Sequence, residues 1–268
     1  EQGALTLIGT GEVSHVPRKT KLRRSLAHPH FKPNYDVAVL SKYDSRTDKN
    51  VDEVCFQKHT GNKEKLHPIF GLYFTEYAQR VFTQLGTDNG CLTIQEAVDG
   101  VEGMDAMEKD TSPGLPHTLT GKRREDVFDF EKKQFKSEDA AASYRQMVAG
   151  DYSHVVYQSF LKDEIRPMEK VQAAKTRLVD VPPFEHCLLG RQFLGKFAAK
   201  FYKNPGTVLG SAIGCDPDTD WTKFAVALSQ YKYVYDVDYS NFDSTHGTGI
   251  FELAISKFFN VRNGFDPR

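Results

Sequence analysis

Apolar side chains return at helical intervals along much of this chain, and that rhythm predicts most of its elements. Phe70 to Leu85 predicts one helix, Ile94 to Val98 sits in a second, and Lys136 to Val148, rich in Ala, predicts a helix that stays mostly at the surface. The strongest stripe is Leu188, Leu189, Phe193, Phe197 and Phe201 within Phe184 to Tyr202, a core-facing helix that Pro205-Gly206 ends. Ile250, Leu253, Ala254 and Phe258 keep the same spacing near the end of the sequence. Strands are signalled by Arg177-Leu178-Val179-Asp180-Val181 and by the aromatic and β-branched run Tyr233, Val234, Tyr235 and Val237, whose side chains are expected to be buried. Few periodic signals precede about Asp52, and no internal repeat or low-complexity tract is present.

Chemistry enters first through aspartates. Between Tyr233 and His246 the chain carries Asp236, Asp238 and Asp243 with no basic residue among them. On a strand Asp236 and Asp238 share a face, and Asp238, nearer the strand end, is the expected metal ligand, because an unpaired carboxylate at the edge of a core is costly. Asp243 precedes the last helical stripe, so it reads either as an N-cap or as a functional carboxylate. A second constellation spaces Lys162, Arg166, Lys170, Lys175 and Arg177 along one segment. Pro167 forbids a continuous helix there, which predicts a bent, hairpin-like finger. Its cations form either a solvated face paired with Asp163, Glu164 and Glu169, or a converging site for a triphosphate. Thr111-Ser112-Pro113-Gly114-Leu115-Pro116, followed by Lys122, Arg123 and Arg124, reads as a rigid loop or as a contact for phosphate and sugar.

In this order the strings resemble the RNA-dependent RNA polymerases of picornaviruses, and most closely those of cardioviruses of the theilovirus kind. Asp-Val-Asp-Tyr-Ser-Asn-Phe-Asp-Ser-Thr-His, from Asp236, is similar to motif A of the palm; Lys162 to Arg177 is similar to motif F of the fingers; Thr111 to Pro116 is similar to motif G. His15 to Leu22 and Leu209 to Pro217 share the likeness. The resemblance implies an α+β right-hand polymerase fold, represented by the fingers subdomain plus the first strand and helix of the palm. Residues 1–2 would be residual upstream polyprotein, 3–210 mainly fingers, and 211–268 the start of the palm.

The resemblance also implies roles. Asp238 would be catalytic and bind Mg2+, for which Mn2+ can substitute, and Asp243 would read the ribose 2′-hydroxyl of the incoming nucleotide. Lys162, Arg166, Lys170 and Arg177 would bind the nucleoside triphosphate; Thr111, Ser112 and Gly114 would bind the template. The implied reaction is attack of an RNA 3′-hydroxyl on an α-phosphate, steadied by two metal ions about 4 Å apart. RNA template and primer, nucleoside triphosphates and a viral genome-linked protein primer are the implied partners. Gln2-Gly3 resembles a junction cut by a viral cysteine protease; in the family the freed amine helps place motif A, so an uncut form is expected to be poorly active. The 268 residues contain neither a Gly-Asp-Asp turn nor a Ser-Gly loop, the marks of motifs C and B, and by themselves they are expected to be inactive.

The formal net charge is -1 and the pI near 6.8, so affinity for RNA must come from local patches. Arg18, Lys19, Lys21, Arg23 and Arg24 form one, readable as an RNA contact, a nuclear import signal or solvated surface. Cys55, Cys91, Cys187 and Cys215 are widely separated and argue against structural zinc; Cys187 reads as a small buried hydrophobe, and His117 and His246 as turn or packing residues. No apolar run spans a membrane. The expected location is the host cytoplasm, at membrane-associated replication complexes reached through partners, with nuclear entry if the basic patch acts as an import signal. Two other readings remain: a non-catalytic RNA- or nucleotide-binding module, and a reverse-transcriptase-like polymerase. Asp243 weighs against the second, since it sits where deoxynucleotide users place a bulky steric gate.

Overall fold

A computed structural model describes residues 20–26, 28–30, 34–59, 66–240 and 242–265. The chain divides into two units, each assembled from separated segments: Glu1–Lys65, Gln158–Val181 and Tyr239–Gly247 in the first, Leu66–Tyr157, Pro182–Asp238 and Thr248–Arg268 in the second.

In the second unit the predicted helices form where their stripes lie, at Ile69–Leu85, Ile94–Asp99, Glu138–Val148 and Phe184–Tyr202. Local chemistry fixes their ends. Thr93 and Glu96 close a reciprocal capping box at the start of the second helix: the Thr93 hydroxyl accepts from the Glu96 amide at 3.1 Å and the Glu96 carboxylate accepts from the Thr93 amide at 2.8 Å. Ser137 caps Glu138–Val148 in the simpler way, accepting from the Ala140 amide. Helix Pro217–Ser229 has no counterpart among the apolar stripes, because none of its residues is buried; its signal is Asp216 as N-cap followed by Pro217 in the first turn.

Helix Phe184–Tyr202 serves two apolar clusters. Phe184 and Leu188 pack with Leu92, Val98, Val127 and Phe128, while Phe197 and Phe201 pack against Ala78, Phe82, Leu209, Phe258 and Phe265. Phe258 is central to the second cluster, with ring centroids 4.8 Å from Phe82 and 5.4 Å from Phe197. It reaches that place through helix Thr248–Leu253, which continues as a π-helical turn, Ala254–Phe258. The following turn is tight. Gly264 has φ +84°, and a Cβ there would stand 1.4 Å from the Thr87 carbonyl oxygen, beside buried Asn89, whose amide donates to the Asn263 carbonyl at 2.7 Å.

The first unit has a smaller core of Val39, Val51, Cys55, Val171 and Ala174. Helix Val51–Gln57, capped by Asn50, lies on it, and two antiparallel strand pairs complete it: Tyr35–Val37 with Ile165–Pro167, and Gln158–Leu161 with Leu178–Val181. The last of these is the strand expected over 177–181.

One predicted element does not form. Tyr233, Val234, Tyr235 and Val237 make no strand and are 60–84% exposed. A strand needs a neighbour for its backbone N–H and C=O groups, and among the described residues none pairs with this run. Cys187 also differs from expectation: it is half-buried, packed beside the first cluster.

Gly264→Ala is expected to destabilise the chain by at least about 2 kcal/mol, since both a positive φ and a backbone clash oppose the new methyl group. Thermal unfolding of the variant checks this; an unchanged midpoint would mean the turn relaxes freely.

Candidate functional site

The basic segment is folded as the finger its Pro167 implies. Lys162 donates its amide to the Arg177 carbonyl at 2.9 Å, continuing the ladder in which Leu161 faces Leu178. Within the finger, strand Ile165–Pro167 gives way at Pro167 to the short helix Met168–Gln172. Val171 and Ala174 are buried in the small core, and the Thr176 hydroxyl donates to the Val39 carbonyl at 2.8 Å. The apolar residues thus anchor the segment that carries the cations.

Three of those cations converge on one carboxylate. Arg177 Nε donates to Glu164 Oε1 at 2.7 Å while its Nη2 bonds Oε2, a forked contact. Arg166 Nη1 lies 3.7 Å from Oε1, and Lys162 Nζ lies 3.7 Å from Oε2. The Arg177 hydrogen bond is the chief cause holding the Glu164 carboxyl below its ordinary value of 4.5, against the opposing effect of burial; Arg177, Lys162 and Arg166 add their charges. The same bond pushes the Arg177 guanidinium up. Lys170, on helix Met168–Gln172, is not among the side chains gathered there.

In the second unit, Thr111 to Pro116 is bound to the start of helix Phe184–Tyr202. Phe184 donates its amide to the Pro113 carbonyl at 2.8 Å, and Gly114, with φ +71°, lies so close to Pro182 that a Cβ would stand 2.1 Å from its carbonyl oxygen. Gly114 is therefore buried and shapes the loop, while Thr111 is exposed and Ser112 partly so. Arg124 faces inward: its guanidinium donates to the carbonyls of Ser112 and Glu108, at 3.2 and 2.9 Å, and lies over the Phe184 ring. Behind the loop, His117 Nε2 is 2.7 Å from Glu185 Oε1, both side chains buried, and Glu185 Oε2 has no hydrogen-bond partner. His117 thus has the packing role expected of it.

Asp236 and Asp238 lie on the exposed run and are themselves exposed, not at the edge of a core as expected. Among the described residues no three His, Cys, Asp or Glu side chains are grouped to hold a metal ion. The backbone of Asp243 belongs to the short helix Phe242–Thr245; its side chain lies outside the described part of the structure, as do Asn241, Gln2, Gly3, Arg18 and Lys19. His246 packs edge-on against Phe242, centroids 4.4 Å apart. Of the remaining basic patch, Arg24 pairs with Asp36 at 3.3 Å, the Lys21 amide donates to Asp163 at 2.7 Å, and Arg23 is exposed.

Residues 23–268 match the sequence profile of the family described as viral RNA-dependent RNA polymerase. The chain belongs to that family. It is 61% identical, over all 268 residues, to part of the genome polyprotein of Theiler's murine encephalomyelitis virus strain GDVII, and 60% identical over 266 residues to that of encephalomyocarditis virus. It spans 12% of each polyprotein. The Sicinivirus 3Dpol RNA-dependent RNA polymerase matches 94% of this chain with a TM-score of 0.76 and 33% identity, and the chain covers 52% of that structure. The α+β right-hand polymerase fold and the kinship with cardioviruses are thereby established.

In this member of the family the cations of the finger are marked in the sequence, whereas Glu164 stands there only among their solvated partners. The alternation Lys162, Glu164, Arg166 is the signal that marks it, since residues two apart in an extended segment share a side. Two outcomes follow from the geometry. Because the folded-state pKa of Glu164 is depressed, its contribution to stability is present above the unfolded value of 4.5 and lost as pH falls through the folded value. The thermal midpoint of wild type should therefore fall more steeply than that of Glu164→Gln between about pH 6 and about pH 3; parallel curves would remove the linkage. Glu185→Ala, which strands buried His117, should cost about 1–3 kcal/mol in urea unfolding, and Glu185→Gln, which keeps an acceptor, less.

Proposed function

We propose that this chain forms the nucleotide-entry finger, the template-side loop and the first catalytic aspartate of a viral RNA-directed RNA polymerase that replicates a positive-strand RNA genome. The observation that carries this reading is the convergence of Lys162, Arg166 and Arg177 on a single carboxylate in a member of that family. Three cations facing one anion leave an excess of positive charge, suited to a triphosphate and to the pyrophosphate that departs. Lys170 supplies further charge on the same finger. Residues 3–210 would be mainly fingers and 211–268 the beginning of the palm.

Asp238 would be one ligand of Mg2+. Its solvation fits that role, since Mg2+ is commonly held by one or two carboxylates with the remaining positions filled by water and substrate phosphates. When bound, the metal pair would steady the attacking and leaving oxygens. Asp243 would accept a hydrogen bond from the ribose 2′-hydroxyl, so that a deoxynucleotide leaves that acceptor unpaired. Thr111 and Ser112 would face the template, with Gly114 setting the loop's curvature. Gln2-Gly3 would be released by a viral cysteine protease, and a genome-linked protein would prime synthesis. Among the described residues no helix is long and apolar enough to cross a membrane; attachment to cytoplasmic replication membranes would come through partners, and nuclear entry through Arg18, Lys19, Lys21, Arg23 and Arg24.

A second reading is a non-catalytic RNA- or nucleotide-binding module, in which the basic finger and the loop act while the aspartates do not, in keeping with Asp236 and Asp238 lying exposed on a run that pairs with no strand among the described residues. Template-directed incorporation of labelled nucleotides separates the two. In the full-length polymerase Asp238→Asn should reduce incorporation by about 10²–10³-fold, equivalent to several kcal/mol of lost charge stabilisation. The 268 residues alone should bind RNA without incorporating. Undiminished incorporation by the variant would sink the assignment of Asp238, and turnover by the 268 residues would sink the inactivity.

A further inference from the structure

The basic finger holds its cations around an acid that no role in nucleotide transfer accounts for. The Glu164 side chain is only 13% exposed, whereas Arg177 and Lys162 above it are 55% and 44% exposed. The carboxylate thus sits beneath the cations, and an arriving anion meets the cations first. Backbone contacts fix both partners: the Glu164 carbonyl accepts from the Ala38 amide at 2.8 Å, and the Arg177 carbonyl accepts from the Lys162 amide. The neighbouring acids are engaged elsewhere. Asp163 binds the Thr20 hydroxyl and the Lys21 amide, and Asp36, opposite Arg166 in the strand register, pairs with Arg24 and Arg46.

Arg166 is short of acceptors. Its Nε is buried without a hydrogen-bond partner, its 3.7 Å approach to Glu164 is too long for a hydrogen bond, and its Nη2 reaches the Lys175 carbonyl only at 3.5 Å. A guanidinium has five donors, and leaving them unmet in a partly buried place is costly. Phosphate oxygens would supply the missing acceptors, and the forked grip of Arg177 on Glu164 has the geometry that same guanidinium would use on a phosphate.

We propose that Glu164 is the positioning residue of the finger, an internal anion that holds Lys162, Arg166 and Arg177 together until the polyphosphate of a nucleotide takes over part of their hydrogen bonding. This rests on the reading of the finger as the triphosphate site. Without the carboxylate, three like charges repel one another and spread. Deleting a negative charge beside an anion site would by simple electrostatics tighten anion binding, whereas loss of the Glu164 carboxylate should loosen it.

That opposition supplies the test. Inorganic tripolyphosphate is titrated into the 268-residue chain and into its Glu164→Gln variant by calorimetry at fixed ionic strength. Glu164→Gln should bind about tenfold more weakly, the equivalent of about one charge-assisted hydrogen bond. Equal or tighter binding by the variant overturns the positioning role while leaving the triphosphate reading intact; failure of wild type to bind overturns both. A second measurement needs no variant: the Arg177 Nε–H resonance of wild type should shift when tripolyphosphate binds, and binding that leaves it unmoved refutes the exchange of partners.

Discussion

Helix Phe184–Tyr202 has to satisfy two apolar clusters at once, and the second unit is arranged around that demand. Its first turn is packed by Phe128 and Phe130, its last turns by Phe197 and Phe201 against Phe82 and Phe258. A rod of 19 residues transmits position with little give. The Thr111 to Pro116 loop is bonded to one end of this rod, through the Pro113 carbonyl and the His117–Glu185 contact, so the loop inherits the rigidity of both cores. Arg124, facing inward over Phe184, shows that a cation in a basic stretch can be a structural strut as easily as a contact for nucleic acid.

The finger of the first unit uses a different device. Its apolar side is small, five buried residues at the centre, and its functional side is organised by charge. Glu164 draws three mutually repelling side chains together, at the cost of offsetting part of their positive field. The compromise is typical of sites prepared before their ligand arrives: order is built in advance, and the ligand meets donors that are already oriented.

Helical stripes were legible because helix formation is local and each stripe faces a core. The ends of Glu138–Val148 and Phe184–Tyr202 match the periodic signal closely, and Pro167 correctly announced the bend of the finger. The run Tyr233 to Val237 was misread for a physical reason: aromatic and β-branched composition expresses a preference for strands but supplies no partner for the backbone. The burial argument for Asp236 and Asp238 depended on that strand and fell with it. Helix Pro217–Ser229 was overlooked because its apolar residues face no core, and Glu164 because its significance lies in what converges on it from both ends of a hairpin. Asp238 was singled out by its place at the end of that expected strand and Asp243 by its place before a helix; the resemblance added their particular roles, whose chemistry is a matter of ligands rather than of packing.

The strand register of the first unit bears on how the chain is made. Tyr35 pairs with Pro167, and Val37 with Ile165, so the earlier strand leaves the ribosome roughly 130 residues before its mate. At synthesis rates of about 5–20 residues per second that interval is on the order of ten seconds, during which the young edge has nothing of its own to pair with. Of the second unit's helices, Ile69–Leu85, Ile94–Asp99 and Glu138–Val148 emerge in between, and their local contacts can form in far less time. The strand pairs of the finger are therefore complete only once Val181 has been made, still ahead of helix Phe184–Tyr202 around which the second unit packs, and until then Tyr35–Val37 is an unpaired edge.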